Sequence, residues 1–396
     1  VKGANANLIT FILTSWLRAS LGSMRIMIVT DAWFPQTNGV VRTLSQTAEW
    51  LGRFGHEVRT LTPQDFRSVA CPTYPEIRLS LFPYKKLEQS IVGFAPQAMH
   101  IATEGPLGLA ARRFCIRWGL RFTTSYHTQF PQYLRARFPI PLYASYAALR
   151  RFHGAAVRCM VSTPNMRKEL AAHGFNNLAS WRRGVDTDLF KPRSKGFLQL
   201  RRPIAAYVGR VAVEKNIDAF LSMPWPGSKI VIGDGPERTR LQSQYPDSIF
   251  AGFKFGEDLA CHLAAADVMV FPSRTDTFGL VNLEAMACGV PVAAYPVTGP
   301  IDVIDDGVTG ALDTDLAKAA WRALKIDPEA CRARALASGW DICSREFESN
   351  LVPCRDVPTG EFPSAQPKLI LASRLVRESA LDSASSSSMR PSRTRL

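Results

Sequence analysis

The stretch RTDTFGLVNLEAMACGVPV, residues 274–292, sets Asp276 and Glu284 in a D-x7-E frame around a Phe-Gly turn, directly after the apolar run VMVFPS. A charge at the mouth of a buried strand is costly unless something pairs with it. Carboxylates accept paired hydroxyls, and sugars present hydroxyls in pairs, so Glu284 suits a ribose and Asp276 a hexose. Between them, Gly279 and Leu280 stand where a helix begins, and their N–H groups can face a phosphate. Upstream, YVGRVAVEKNID (207–218) puts Arg210 at a strand end and Lys215 near the start of the next helix. This pair suits a diphosphate, Arg through planar paired contacts and Lys as a point charge. Two plainer readings compete on the residues alone. Arg210 and Lys215 can be solvated surface cations, and Thr277 can cap the helix while Asp276 and Glu284 favour its positive end.

The elements that must position these residues follow one grammar. From Arg25, short apolar runs (RIMIVT, EVRTLT, AMHIAT, FTTSYH, RCMVST) alternate with segments of helical spacing such as GVVRTLSQTAEWLGRFG. The pattern restarts at Pro203 with PIAAYVGR, KIVIGDG, SIFAGF, DVMVFPS and PVAAY. Such alternation predicts an α/β protein with two doubly wound parallel sheets, whose ligands bind at the carboxyl ends of the strands. The expected organisation is a leader at 1–23, an N-terminal domain at 24–186, a linker at 187–200, a C-terminal domain at 201–338, a helix at 339–354 and a disordered, Ser-rich basic tail at 355–396. In the leader, LITFILTSW is too short to span a bilayer, and Met24 is the expected natural start.

Three absences narrow the chemistry. The loop VTDAWFPQTNGVV (29–41) has Gly39 at a helix start, which allows close backbone approach, but it carries no G-x-G-x-x-G; in GDGPER, Arg238 replaces the third glycine. No nicotinamide or flavin cofactor is expected. The eight cysteines are scattered without a C-x-x-C, against a zinc ribbon or a disulfide framework. D-x-D occurs at 186–188 and 313–315, in a connector and before a helix, away from the candidate phosphate site, so no metal is expected.

Charge is uneven within the net +14: residues 24–190 hold 21 Lys/Arg against 10 Asp/Glu, whereas 201–354 hold 15 against 20. The basic half is drawn to something anionic. Arg112, Arg113 and Arg117 lie at helical spacing, and YLRARFPIPLYASYAALRRFH (133–153) mixes Arg with aromatic residues. Together they make a candidate face for anionic lipid headgroups, or an ordinary solvated surface. No nucleic-acid recognition motif is present, so a nucleic-acid partner is not expected.

The D-x7-E block, with TDAWFPQTNGVVRT, HIATEGPLGL, SYHTQFPQYLRAR, RGVDTDLF, VGRVAVEKN and VIGDGPERTRL, resembles the retaining nucleotide-sugar glycosyltransferases of family 4, the group 1 family, over residues 24–354. The branch looks like the GDP-mannose-dependent α-mannosyltransferases and the sulfoquinovosyl- and glucuronosyl-lipid synthases. The resemblance implies a GT-B architecture, two Rossmann-like domains facing across a cleft, with the 340–353 helix crossing back to the N-terminal domain. It implies Gly39 beside the diphosphate, Arg210 and Lys215 binding it, Glu284 on the ribose and Asp276 near the transferred sugar. Aspartate departs from the family's glutamate by one methylene. It further implies His127 near sugar and acceptor, Phe253 and Lys254 at the base, and Phe278 with Gly279 and Leu280 in the donor site. The expected partners are a nucleotide sugar donor, GDP-mannose or a UDP-hexose, and a lipid or glycan acceptor at the cytoplasmic face of a membrane. A nucleotide-sugar epimerase of the same architecture is the alternative enzyme.

Overall fold

The computed structural model describes residues 22–355 except 37, 72–73 and 138–139. Nearly all of the expected leader and tail therefore lies outside the described residues. The short apolar runs become strands because both of their faces are covered. AMHI, AAYV and VMVF are buried at every position, as parallel sheets between helix layers require.

The first lobe contains β1 (Arg25–Val29), α1 (Gly39–Arg53), β2 (Glu57–Leu61), the hairpin β3 (Ser68–Cys71) and β4 (Tyr74–Ser80), and α2 (Tyr84–Phe94). It continues with β5 (Ala98–Ile101), α3 (Pro106–Trp118), β6 (Thr123–Tyr126), α4 (Phe130–Arg137), α5 (Leu142–His153), β7 (Arg158–Val161), α6 (Pro164–Ala172) and β8 (Leu178–Ser180). Its six strands run in the order β2-β1-β5-β6-β7-β8, with every pairing parallel. The β3–β4 hairpin is antiparallel and stands outside this sheet.

The second lobe contains β9 (Ala205–Val208), α7 (Ile217–Ser222), β10 (Lys229–Ile232), α8 (Arg238–Gln244), β11 (Ile249–Gly252), α9 (Gly256–Ala265) and β12 (Val268–Phe271). Then come α10 (Leu280–Ala287), β13 (Val292–Ala294), α11 (Pro300–Val303), β14 (Gly310–Leu312), α12 (Leu316–Ala323) and α13 (Pro328–Leu336). The strand order is β11-β10-β9-β12-β13-β14, again all parallel. This is the doubly wound order whose direction reverses between the first and fourth strands, here β9 and β12. The crevice at their carboxyl ends is where Arg210 and Asp276 emerge.

The glycines of GDGPER have a packing reason rather than a dinucleotide one. A β-carbon on Gly233 would lie 1.8 Å from the Gly209 carbonyl oxygen, and one on Gly235 would lie 2.3 Å from that of Val211. The loop after β10 is thus pressed against the turn after β9, which carries Arg210.

A last helix, α14 (Trp340–Asn350), leaves the second lobe and docks on the first. Its Trp340, Cys343 and Phe347 join Ile26, Ile28, Leu44, Met160 and Trp181 in one buried cluster. Glu348 binds His56 at 2.9 Å, and the following backbone pairs with Gln97 and Arg121. No described helix is long and apolar enough to cross a membrane.

Tertiary packing takes up part of the basic segments singled out in the sequence. Residues 133–153 are divided between α4 and α5, and Tyr146, Leu149 and Phe152 point into the core. The Arg112 guanidinium donates to the carbonyls of Phe152 (3.0 Å) and Arg151 (2.7 Å), and Arg113 lies over the Tyr84 ring. Arg112 thus ties α3 to α5, whereas Arg113 and Arg117 remain exposed on the helix.

Candidate functional site

At the mouth of the second sheet, Lys215 closes a short 3-10 turn (Val213–Lys215), and its Nζ donates to both Asp276 oxygens, at 2.6 and 2.8 Å. Arg210 pairs with Glu214, and the buried Tyr207 hydroxyl donates to the Arg210 carbonyl at 2.8 Å, fixing the turn. Each of the two cations is thus balanced by a carboxylate, Arg210 by Glu214 and Lys215 by Asp276. The loop bearing Asp276 is anchored by Arg274, whose guanidinium lies 3.7 Å from the Tyr295 ring centre.

Gly279 begins α10 with φ +78°, and a β-carbon there would meet the Phe271 ring at 2.8 Å, so only glycine makes this entry. Gly279 has no side chain with which to cap this helix start, and the Asn282 amide donates to the Gly279 carbonyl at 3.0 Å. Leu280 packs against the first lobe's buried cluster, 3.5 Å from where a Gly39 β-carbon would be. Opposite, the start of α1 is already capped, because Asn38 Oδ1 accepts from the Val40 and Val41 amides at 3.0 Å. Phe278 is half-buried between Thr277 and Gly279, with its carbonyl facing Asn282.

Glu284 is 5 % exposed and receives Arg42 of the first lobe at 2.6 Å. Burial pushes its carboxyl above the usual range, and the Arg42 guanidinium partly offsets this. Arg42 was missed in the sequence because its partner lies on the opposite lobe. Its signal was that it is the single charged residue among 39–48, one turn into a helix entering the cleft.

His127 follows β6, and both of its ring nitrogens are engaged. Arg183 approaches Nδ1 at 3.2 Å and Ser125 Oγ approaches Nε2 at 2.8 Å. A guanidinium only donates, so Nδ1 accepts and Nε2 carries the proton. Burial and the Arg183 charge hold His127 well below its ordinary value, and it is neutral at physiological pH. Arg183 is itself buried, and burial lowers it to about 10. The His127 carbonyl accepts from Thr277 Oγ1 at 2.8 Å, so Thr277 joins the lobes instead of capping α10. Asn165 donates to Asp302 at 2.8 Å as a further bridge between the lobes.

Phe253 and Lys254 stand apart, after the edge strand β11, with Phe253 half-exposed and stacked on Phe255 at 5.9 Å. Lys254 pairs with Asp258 at 3.0 Å. The D-x-D aspartates serve the backbone: Asp186 accepts from the Asp188 and Leu189 amides, and Asp315 caps α12. Among the described residues, no cluster of three or more metal-ligating side chains occurs. Ser273 Oγ and Thr275 Oγ1, in the loop before Asp276, are buried without a hydrogen-bond partner.

These titrations give a testable sign. If Glu284 holds ligand hydroxyls as the sequence suggests, its ionised form is the better acceptor, and ligand affinity should be full above its raised pKa and fall as pH drops through it. For stability the sign is opposite: a carboxyl raised by folding favours the folded state at low pH and loses that contribution as pH rises through its folded pKa. Calorimetric donor binding from about pH 8 to 4 should show an acid limb that vanishes in Glu284→Gln. An acid limb that persists unchanged in Glu284→Gln would remove Glu284 from the site.

Family comparisons agree with this geometry. Residues 37–189 match the model for Glycosyltransferase Family 4 and residues 202–326 the model for Glycosyl transferases group 1. A GDP-mannose-dependent alpha-mannosyltransferase of Mycobacterium tuberculosis is 32% identical over 239 residues, covering 58% of this chain and 63% of that protein. Sulfoquinovosyl transferase SQD2 of Arabidopsis thaliana is 32% identical over 266 residues, covering 62% of this chain and 52% of its own. The matches thus span about half to two-thirds of these relatives. Among solved structures, the sucrose-phosphate synthase of Thermosynechococcus elongatus superposes with a TM-score of 0.65 at 21% identity, covering 82% of this chain and 98% of that one. The two lobes are therefore those of a GT-B fold, and the chain belongs to the group 1, or family 4, glycosyltransferases.

Proposed function

We propose that the chain transfers a hexose from a nucleotide-diphosphate sugar to a lipid or glycolipid acceptor, with retention of anomeric configuration and without a metal. The observation that carries this reading is the meeting of Lys215, Asp276 and the uncapped start of α10 at the switch point of the second sheet. As the sugar–phosphate bond breaks, charge gathers on the diphosphate. Arg210, Lys215 and the amides at 279–280 are preorganised donors for it. Lys215 can turn one of its three N–H groups to phosphate while another keeps Asp276 oriented toward the hexose. Glu284 would exchange Arg42 for the ribose, and the unpaired hydroxyls of Ser273 and Thr275 would gain partners. The names of the relatives make GDP-mannose the first donor to test, with UDP-hexoses beside it. The excess of cations in the first lobe supports an acceptor held at an anionic lipid surface.

The test is a panel of labelled nucleotide sugars incubated with the protein and a membrane lipid extract, with products separated by polarity and the new anomeric centre read by NMR. One donor should label a lipid-soluble product with its configuration retained, and EDTA should not change the rate. Label found only in water-soluble glycan would overturn the acceptor assignment. An isomerised sugar nucleotide would identify an epimerase, and strict dependence on a divalent cation would overturn the metal-free mechanism.

A further inference from the structure

Between the β3–β4 hairpin and α2 the chain makes a turn at Leu81-Phe82-Pro83 that the core does not need. Leu81 is held by its amide, which donates to the Arg67 carbonyl at 2.7 Å. Phe82 follows with φ +48° and is 96% exposed. A bulky residue in the left-handed region is strained, and a fully exposed ring gains nothing from folding, so two costs meet in one side chain. Val69 on β3 and Leu81 add exposed apolar surface, at 44% and 43%.

Cations flank this wedge in the sequence. Arg67 and Lys85 are exposed, Arg78 is exposed while donating to the Ser68 carbonyl at 2.8 Å, and Lys86 donates to the Asp65 carbonyl. Residues 66–86 contain four Lys/Arg against one Glu. An aromatic tip flanked by cations is complementary to a bilayer, in which acyl chains lie beneath anionic headgroups. Ser68 and Arg78 of the same hairpin also wall a cavity of about 210 Å³, together with Trp33, Phe34, Gln36 and Pro63. Those loop residues lead directly into α1 and the cleft.

We propose that the tip at Leu81–Phe82 inserts into an anionic lipid bilayer and that Arg67, Arg78 and Lys85 bind its headgroups. The inference deepens the lipid-acceptor reading by naming the surface that brings the protein to its acceptor, and it is measured by binding alone. Phe82→Gly is the informative variant, because glycine relieves the positive φ while removing the ring. Its thermal stability should equal or exceed that of the parent. Its cosedimentation with vesicles of phosphatidylcholine plus phosphatidylglycerol should fall about tenfold. Arg67→Gln with Lys85→Gln should cost about tenfold or more, and should flatten the salt dependence of binding. Equal binding by parent and Phe82→Gly, or no preference of the parent for anionic over neutral vesicles, would overturn the proposal. Transfer to detergent-dispersed lipid separates the two readings. If it fails while hairpin-dependent binding persists, the acceptor is wrong and the docking surface stands.

Discussion

Lys215→Ala should lower the rate of sugar transfer by about 10³-fold while leaving the fold intact, the scale seen when a single preorganised donor to developing charge is removed. The side chain is half-buried at the switch point and is held by Asp276, so its deletion opens no core cavity. Its loss has a second effect beyond the missing cation. Asp276 would then face the incoming diphosphate with its charge no longer balanced by Lys215, and like charges repel. Adding Asp276→Asn to Lys215→Ala should therefore recover donor affinity by about tenfold without restoring turnover, a coupling that two independent residues would not show. Calorimetry of donor binding beside single-turnover transfer separates these quantities. Wild-type turnover in Lys215→Ala would remove Lys215 from the site.

Phe347→Ala should destabilise the protein by about 3–5 kcal/mol, since the ring is fully buried and its truncation leaves a cavity. The ring packs edgewise on His100 at 4.8 Å and against Trp181 at 4.8 Å, within the cluster that backs β1 and β5. Whole domains are stable by only about 5–15 kcal/mol, so the loss is a large fraction. A helix that follows the second lobe in sequence thus completes the core of the first. Urea unfolding should show the midpoint falling without a matching change in slope. A loss under about 1 kcal/mol would mean that α14 is an appendage and not part of that core.

The two sheets were legible because each buried parallel strand is a short apolar run followed by a turn and a helical stretch. The β3–β4 hairpin was not, since SVACPTYPEIRLS carries two prolines and no sustained alternation. The charges near the switch point were legible: Arg210, Lys215 and Asp276 follow strands, and Glu284 lies one turn into α10. Their partners were not. Arg42 reaches Glu284, and Arg183 reaches His127, only after the lobes and the 181–186 connector are folded. The Arg112 face shows the same limit from the other side. Helical spacing says which residues share a face, but the carbonyls of α5 decide what Arg112 meets.

The cysteines have a practical consequence. Six of the eight thiols are buried, and burial pushes those of Cys288, Cys331, Cys343 and Cys354 up to about 12. Cys71 and Cys261 alone are partly exposed, one on the hairpin of the first lobe and the other on α9 of the second. A maleimide pair attached to the unmutated protein would therefore place a donor dye and an acceptor dye on opposite sides of the cleft. Energy transfer between them would follow lobe movement as nucleotide binds, without removing a single native cysteine.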